Sequence, residues 1–288
     1  MEYQSQPATS SSHPSLFPTV DATYVIHLEG NGRLEKIKEQ FRRYRPSHTC
    51  IIVFNKGYKK CNKPQLGKQL PPYDLIDANL HVMRHAKQHQ YKTVLILEDD
   101  FFFDDGNEEF EKDTKEIDAF LRQNKDSAFC YYLGCIPCLL YPSFTNHYRV
   151  IFRATTHSVV YSAPMMEKIL TYNQKELRDW DYFLSNIQNP SYTYYKPLCY
   201  QLFPETDNQR HWGEFSDFFS QTVVPFFRMV IKLLKMDTQT SPGYPLHYAV
   251  AKMSFWILLV LLLWVVYSIV RVMGGTKTVS NKKWFSKR

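Results

Sequence analysis

Between Lys252 and Arg271 the chain runs MSFWILLVLLLWVVYSIV, 18 residues without a charge. As a helix this stretch is about 27 Å long, close to the hydrocarbon thickness of a bilayer. Trp256, Trp264 and Tyr267 stand toward its ends, where aromatic rings favour the headgroup region. A core helix of a soluble protein that is apolar on every side needs protein all round it, and the polar-leaning residues that follow supply none. A transmembrane helix over 249–272 is expected, followed by a basic tail over 273–288.

That tail also accounts for the net charge. The formal charge of +7 suggests nucleic acid until it is located. Six of the 35 basic residues follow Lys252 with no acid among them, leaving 29 bases against 28 acids before it. A nucleic-acid-wrapping domain is therefore not expected. Nothing in MEYQSQPATSSSHPS has the apolar run of a signal peptide. The expectation is a single-pass C-terminal anchor with the body facing the cytosol, although the basic tail prefers that side too. Six cysteines are too few for a disulfide scaffold. Cys135 and Cys138, with Cys130 upstream, are half a zinc site, a redox pair or buried structural thiols; no second CxxC follows, and the aromatic surroundings favour the last.

The body divides by pattern. Residues 1–20 are rich in Ser, Pro, Gln and Thr and read as a flexible leader. Tyr24–Leu28 is a strand, the Gly30-Asn-Gly32 turn follows, and Leu34, Ile37 and Phe41 recur at helical spacing. Cys50–Phe54 is a second strand, 55–72 a loop, 74–90 a helix, and Thr93–Leu97 a third strand, apolar throughout as in a sheet covered on both faces. Further on come a helix over 108–124, strands at 128–133, 150–152 and 158–161, helices at 164–172 and from 179, and an extended aromatic stretch over 193–203. Alternating strands and helices imply an α/β, Rossmann-like sheet flanked by helices over 21–212. Residues 213–248 hold FSDFFSQTVVPFFRMVIKLLKM, either an interfacial amphipathic helix interrupted near Pro225 or a helix packed on the body.

The chemistry concentrates at Leu95-Ile-Leu-Glu98-Asp99-Asp100-Phe-Phe-Phe103, three carboxylates at the C-terminal end of a buried strand. Ligands bind at that edge of open α/β sheets. Neighbouring carboxylates repel, so the cluster wants a cation or donors, and Mg²⁺ or Mn²⁺ suits hard oxygens while leaving places for phosphate. The alternative is a solvated acidic turn before a helix.

The βαβαβ start, the acidic triplet after a VLIL strand and the Asp179-Trp180-Asp181 segment together resemble the family 25 glycosyltransferases, enzymes of GT-A fold acting on lipooligosaccharide or procollagen. The resemblance spans about residues 23–212 and also touches Tyr24–Leu28 with Arg33, Asp74–Ala86 with Arg84, and His157–Ser162. It implies a nucleotide-sugar donor, UDP-linked by preference, at the sheet edge. His27, Leu28, Arg33, Arg84, Glu98 and Asp99 would contact that donor, and Mn²⁺ (or Mg²⁺) would lie on Asp100 and Glu98. It also implies a late metal-binding His, for which His211 is the candidate beside the reading of an exposed loop histidine. Asp181, with Asp179, would be the catalytic base of an inverting transfer to a glycan, glycolipid or glycoprotein. For Asp179 a helix N-cap is an equal reading. The family's Asn-Leu-x-Arg-x-Asp-Arg type start is replaced here by Ile26-His-Leu-Glu-Gly-Asn-Gly-Arg33. His157 could face the donor or be a satisfied strand histidine, and the Tyr131-Tyr132 and Tyr192–Tyr195 rings could stack on sugars or fill the core. The rival functions are a metal-dependent phosphoesterase, which lacks its DxDx[TV] pattern here, and a non-catalytic sugar-binding module.

Overall fold

The computed structural model describes residues 1–6, 14–103, 106, 109–204, 211–212 and 216–282, with side chains as far as 273. In chain order the strands are β1 (Glu2–Gln6), β2 (Ala22–Leu28), β3 (Thr49–Asn55), β4 (Thr93–Glu98), β5 (Phe101–Phe103), β6 (Cys130–Tyr141), β7 (His147–Ser162), β8 (Ser191–Tyr194) and β9 (Cys199–Gln201). The helices are α1 (Leu34–Arg43), α2 (Pro71–Gln88), α3 (Phe110–Asn124), α4 (Ala163–Ile169), α5 (Trp180–Asn186), α6 (Val224–Leu233) and α7 (Gly243–Lys282). Seven strands form one mixed sheet in the order β1-β3-β2-β4-β7-β6-β8, and β5 pairs with β9 in a small second sheet.

The apolar strands divide their side chains between two cores. Tyr24 and Ile26 of β2, Ile51 and Val53 of β3, and Val94 and Ile96 of β4 face the layer that includes α2, α4 and α5. Val25, Ile52, Leu95 and Leu97 face the layer of α1 and α3. Burial on both faces is why the strands carry no polar alternation. β3 and β4 both run parallel to β2, so the C-terminal ends of all three open at one edge. β7 then runs antiparallel to β4 and makes the sheet mixed.

Several expectations change. Residues 2–6 are not a loose leader, since they pair antiparallel with β3 from Glu2↔Phe54 to Gln6↔Cys50. Phe17 and Val20 are fully buried; residues 7–13 lie outside the described residues. The strands expected at 150–152 and 158–161 are one strand, β7, whose Thr155 takes φ +70°. The extended run 193–203 is broken into β8 and β9. The segment before the apolar helix is not interrupted at Pro225: a π-helical turn, Phe219–Val223, leads directly into α6, and Pro225 stands at the junction, where the change of helical pitch accommodates its missing N–H. α7 begins at Gly243, ahead of the expected residue 249.

The first two turns of α7 dock on the body. Tyr244, Tyr248 and Ala251 are buried. The Tyr248 hydroxyl lies 2.9 Å from Thr193 Oγ1, and the Tyr244 hydroxyl accepts from Gln201 N at 3.1 Å and donates to Gln201 O at 3.0 Å. From Met253 to Met273 nearly every apolar side chain is exposed, a stretch of roughly 31 Å at helical rise. The helix is long and apolar enough to cross a membrane, so it could act as a single anchor.

Strand β9 crosses β6 at Gly134, where an added Cβ would stand 1.7 Å from Cys199 O. Only a residue without a side chain lets the two backbones approach so closely. Gly134→Ala is expected to lower the stability of the full chain by about 1–3 kcal/mol, the range for an overpacked interior. Chemical denaturation in detergent measures it, and an unchanged midpoint would mean that β9 yields without strain.

Candidate functional site

The site forms where β2, β3 and β4 end. The β2–α1 turn curls back over β4 because Gly30 adopts φ +84°, a left-handed conformation open to glycine. This brings Asn31 and Arg33 to the carboxylates, whose three members have different surroundings.

Asp99 is saturated. Its Oδ2 accepts from Leu28 N at 2.9 Å and from Asn31 Nδ2, and its Oδ1 from Arg33 Nη1 at 2.6 Å. His27 Nδ1 stands 3.5 Å from Oδ2. Burial alone would raise this carboxyl, but His27, Arg33 and the Leu28 amide together hold it below the usual range. Asp99 is thus the anchor of the β2–α1 turn, and little of it is left for a ligand.

Asp100 is half satisfied. Its Oδ2 accepts from Gln201 Nε2 at 2.9 Å and Arg33 Nη1 at 3.2 Å, while its Oδ1 is buried without a hydrogen-bond partner. Burial pushes its carboxyl up to about 6 against the pull of Arg33. Glu98 is raised well above the ordinary value by burial and by the charges of Asp100, Asp181 and Asp99. Its Oε1 lies 3.4 Å from Thr156 Oγ1.

Mg²⁺ and Mn²⁺ bind through one or two carboxylates, with waters and substrate phosphates completing the shell. Asp100 Oδ1 and Glu98 fit that donor set: one is an unpartnered buried oxygen, the other a carboxylate that crowding keeps from ionising alone. Among the described residues no group of three or more His, Cys, Asp or Glu is arranged to hold a metal. His211 therefore does not join Glu98 and Asp100 in such a group.

The second pair of acids comes from α5. Asp179 is its N-cap, Oδ1 accepting from Tyr182 N at 2.8 Å. Burial and the charge of Asp181 push Asp179 up to about 6. Asp181 is pinned by Thr155 N at 2.9 Å and Thr156 Oγ1 at 2.6 Å, one to each oxygen. Thr156 thus stands between Asp181 and Glu98, and the left-handed turn at Thr155 aims both threonine groups at α5.

Two cavities meet here. One, about 400 Å³, is lined by Arg33, Lys56, Lys59 and Lys60 together with Glu98, Asp99 and Asp100. The loop carrying those lysines is held down by Lys63, whose ammonium pairs with buried Asp74 at 2.5 Å and Asp77 at 3.2 Å. The other, about 590 Å³, is mostly apolar and has Asp179, Asp181 and Arg153 in its wall. Glu98, Gln201, Phe203 and Trp212 line both.

Of the residues singled out from sequence, His27, Leu28, Arg33, Glu98, Asp99 and Asp100 come together, and Asp179 and Asp181 join them across Thr156. Arg84 does not. It lies about 20 Å along α2 from the Pro71 end that borders the site, and its guanidinium bonds Gln174. His157 is buried, kept neutral by a pKa pushed down to about 4, with Nε2 3.2 Å from Cys199 O; it is a packed strand histidine. Tyr131, Tyr132 and Tyr194 belong to the core. Cys130 and Cys135 are buried thiols whose pKa burial pushes up to about 12, in keeping with structural roles, whereas Cys138, expected to be buried with them, is exposed because its side chain leaves the buried run of β6. Gln201, Thr155, Thr156 and Arg153 are the functional neighbours that sequence reasoning missed. Each depends on a long-range approach that no local pattern announces.

No known protein-family profile matches the chain, and no curated protein matches it in sequence. Solved structures of similar fold include a mannose-1-phosphate geranyltransferase from Thermus thermophilus, at 13% identity and TM-score 0.39, covering 61% of this chain and 73% of that one. A197 from STIV is 12% identical with TM-score 0.37, covering 64% and 86%. A glycosyltransferase involved in the glycosylation of the major capsid of PBCV-1 is 10% identical with TM-score 0.34, covering 62% and 83%. The likeness is remote, concerns the arrangement of sheet and helices, and singles out no one family.

The raised carboxyl of Asp100 has a consequence for stability. Its folded value lies above the ordinary 3.8, so the penalty for its charge is absent near pH 4, grows as pH rises, and is complete above about 6. Asp100→Asn mimics the protonated form. It is expected to stabilise the metal-free protein by about 1–2 kcal/mol at pH 8 and to be neutral near pH 4. Thermal unfolding of the full chain across that range checks this; equal effects at both ends would contradict the crowding.

Proposed function

We propose that this protein is a membrane-anchored, metal-dependent glycosyltransferase of GT-A type. It moves a sugar from a nucleotide-sugar donor, UDP-linked by preference, to a glycoconjugate acceptor with inversion. The observation that carries the reading is an unpartnered buried oxygen on Asp100, a residue lining the smaller cavity, beside a crowded Glu98 that lines both cavities. The family 25 resemblance of the LILEDD segment and of Asp179-Trp180-Asp181 agrees with it.

In this reading the diphosphate of the donor lies in the smaller cavity, where Arg33, Lys56, Lys59 and Lys60 meet its charge. A divalent cation held by Asp100 and Glu98 would stabilise the charge that develops on the leaving diphosphate. Arg33 and Gln201 both donate to Oδ2 of Asp100, which fixes the carboxylate and leaves the buried Oδ1 for the cation.

The acceptor enters from the larger cavity. Its hydroxyl oxygen forms a bond to the anomeric carbon as the bond from that carbon to the diphosphate oxygen breaks, and the bonding pair leaves with the diphosphate. The proton of the acceptor passes to the Asp179/Asp181 pair. Asp179, its carboxyl pushed up by burial, can take that proton, while the clamp of Thr155 and Thr156 holds Asp181 in place. A phosphoesterase fits less well, because Asp100 is followed by Phe101 and Phe102 where that class has its DxDx[TV] pattern.

Calorimetry with UDP in the presence and absence of Mn²⁺ tests the donor site. Asp100→Asn is expected to weaken the Mn²⁺-dependent part of UDP affinity by about tenfold or more; an unchanged affinity would remove the metal assignment. Asp179→Asn should bind UDP normally yet transfer sugar about 10²–10⁴-fold more slowly. Transfer at the wild-type rate in both Asp179→Asn and Asp181→Asn would place the base elsewhere.

A further inference from the structure

The larger cavity has features that sugar transfer alone does not require. Leu246 and Val250 of α7 line it, and Met253 and Ile257 continue the same helix face at three- and four-residue steps. All four are exposed, at 45%, 51%, 60% and 54%. The cavity wall and the bilayer-facing stripe of the long helix are therefore one uninterrupted apolar track. The opposite wall, from Phe219 through Val223 to Phe226, is apolar as well. Outside it α6 exposes Phe226, Met229 and Leu233, at 61%, 56% and 75%, beside exposed Lys232. Apolar exposure of this extent marks an interaction surface, and its continuity with the long apolar helix identifies the partner phase as lipid.

At its inner end the cavity turns polar. Arg153 is 4% exposed, its guanidinium stacked 4.1 Å over the Tyr132 ring. One nitrogen donates to the Tyr132 hydroxyl, and Nη1 has no partner. Thr155 is 7% exposed, and its Oγ1 is unpartnered too. Buried polar groups are rarely left so. With Glu98, Asp179 and Asp181 also in the lining, this end offers carboxyl groups in excess of its one guanidinium, a set of donors and acceptors that suits hydroxyls better than an anionic head group.

We propose that the larger cavity binds a membrane lipid. Its apolar chain lies along the Leu246–Val250 wall, and an uncharged, hydroxylated head group reaches Arg153, Thr155 and the Asp179/Asp181 pair. Its role as the acceptor, one hydroxyl of the head supplying the attacking oxygen, rests on the transferase reading above; its binding does not. Lateral entry from the bilayer brings the head to the wall shared with the donor cavity while the chain remains in contact with apolar groups throughout.

The test uses the full chain in phosphatidylcholine nanodiscs and an alkyl glucoside carrying a diazirine in its chain. Photolabelling is expected in peptides spanning 219–230 and 246–250 and should be displaced by excess octyl glucoside. Val250→Trp and Ala154→Phe fill the cavity from different walls, and either should reduce that labelling by about tenfold, the scale of one or two displaced methylene contacts. Labelling of 256–270, within the bilayer, should persist. Circular dichroism identifies a variant that misfolds, and the other then decides. A diazirine alkyl phosphate should label the cavity far less. Absent or non-displaceable cavity labelling, indifference to a folded cavity variant, or equal labelling by the phosphate would each overturn the proposal. UDP calorimetry on the same preparation separates the two readings: UDP binding without cavity labelling overturns the lipid site alone, whereas cavity labelling without UDP binding overturns the transferase and leaves the lipid site standing.

Discussion

Five carboxylates crowd one rim of the sheet, and the local structure follows from how their repulsion is relieved. Glu98, Asp99 and Asp100 arrive together on the end of β4, and Asp179 and Asp181 arrive from α5. Arg33 is the guanidinium that answers the first group, at 2.6 Å from Asp99 and 3.2 Å from Asp100. Reaching them requires the β2–α1 turn to fold inward, and Asp99 secures that turn through the Leu28 amide and Asn31. Relief is unequal: Asp99 is held ionised, whereas Asp100 and Glu98 are left with their charge disfavoured. In the reading proposed above, a bound cation would relieve that crowding. The same crowding makes the site a local weakness of the fold, a common relation between function and stability.

The second constraint is the mechanical link between this rim and the long apolar helix. Gln201 donates its side chain to Asp100 while its backbone N–H and C=O both meet the Tyr244 hydroxyl. One glutamine therefore ties a rim carboxylate to the first turn of α7, and Lys252 adds a bond to Tyr195 O two turns further on. The body is not tethered by a floppy linker; the helix root is part of its core. Such a root sets both the height and the tilt of the two cavities relative to whatever surrounds the helix.

Much of this was legible in the sequence, for reasons that differ by element. Strands β2, β3 and β4 are short β-branched runs buried on both faces, so composition alone reveals them, and the acids after Leu97 fall at the edge where such strands end. The long helix declares itself by the absence of charge. What was hidden depends on distant partners. Glu2–Gln6 looks like tail because its strand character exists only against β3. β7 looks like two strands because Thr155 leaves the β region in its middle, a conformation imposed by Asp181, 26 residues away. That Asp99 also anchors the β2–α1 turn was hidden, because sequence adjacency to Asp100 says nothing about which oxygens the turn consumes. Arg84 failed because a matching residue on a helix was credited without counting how many turns separate it from the site.

The unusual backbone of Thr155 has a geometric reason. A β-branched residue at φ +70° is strained, and such strain persists only where the surroundings over-determine it. Here they do: the Thr155 amide must turn toward Asp181 while Thr156 beside it places its hydroxyl between Asp181 and Glu98. A regular strand would alternate the two side chains across the sheet and present the amide to a neighbouring strand. Breaking the alternation at this one residue lets consecutive groups of β7 serve the same carboxylate, Asp181. It also leaves Thr155 Oγ1 without a partner in the cavity wall. The strain, the clamp on α5 and the unsatisfied hydroxyl are thus three aspects of one local distortion, placed where the two cavities share a wall.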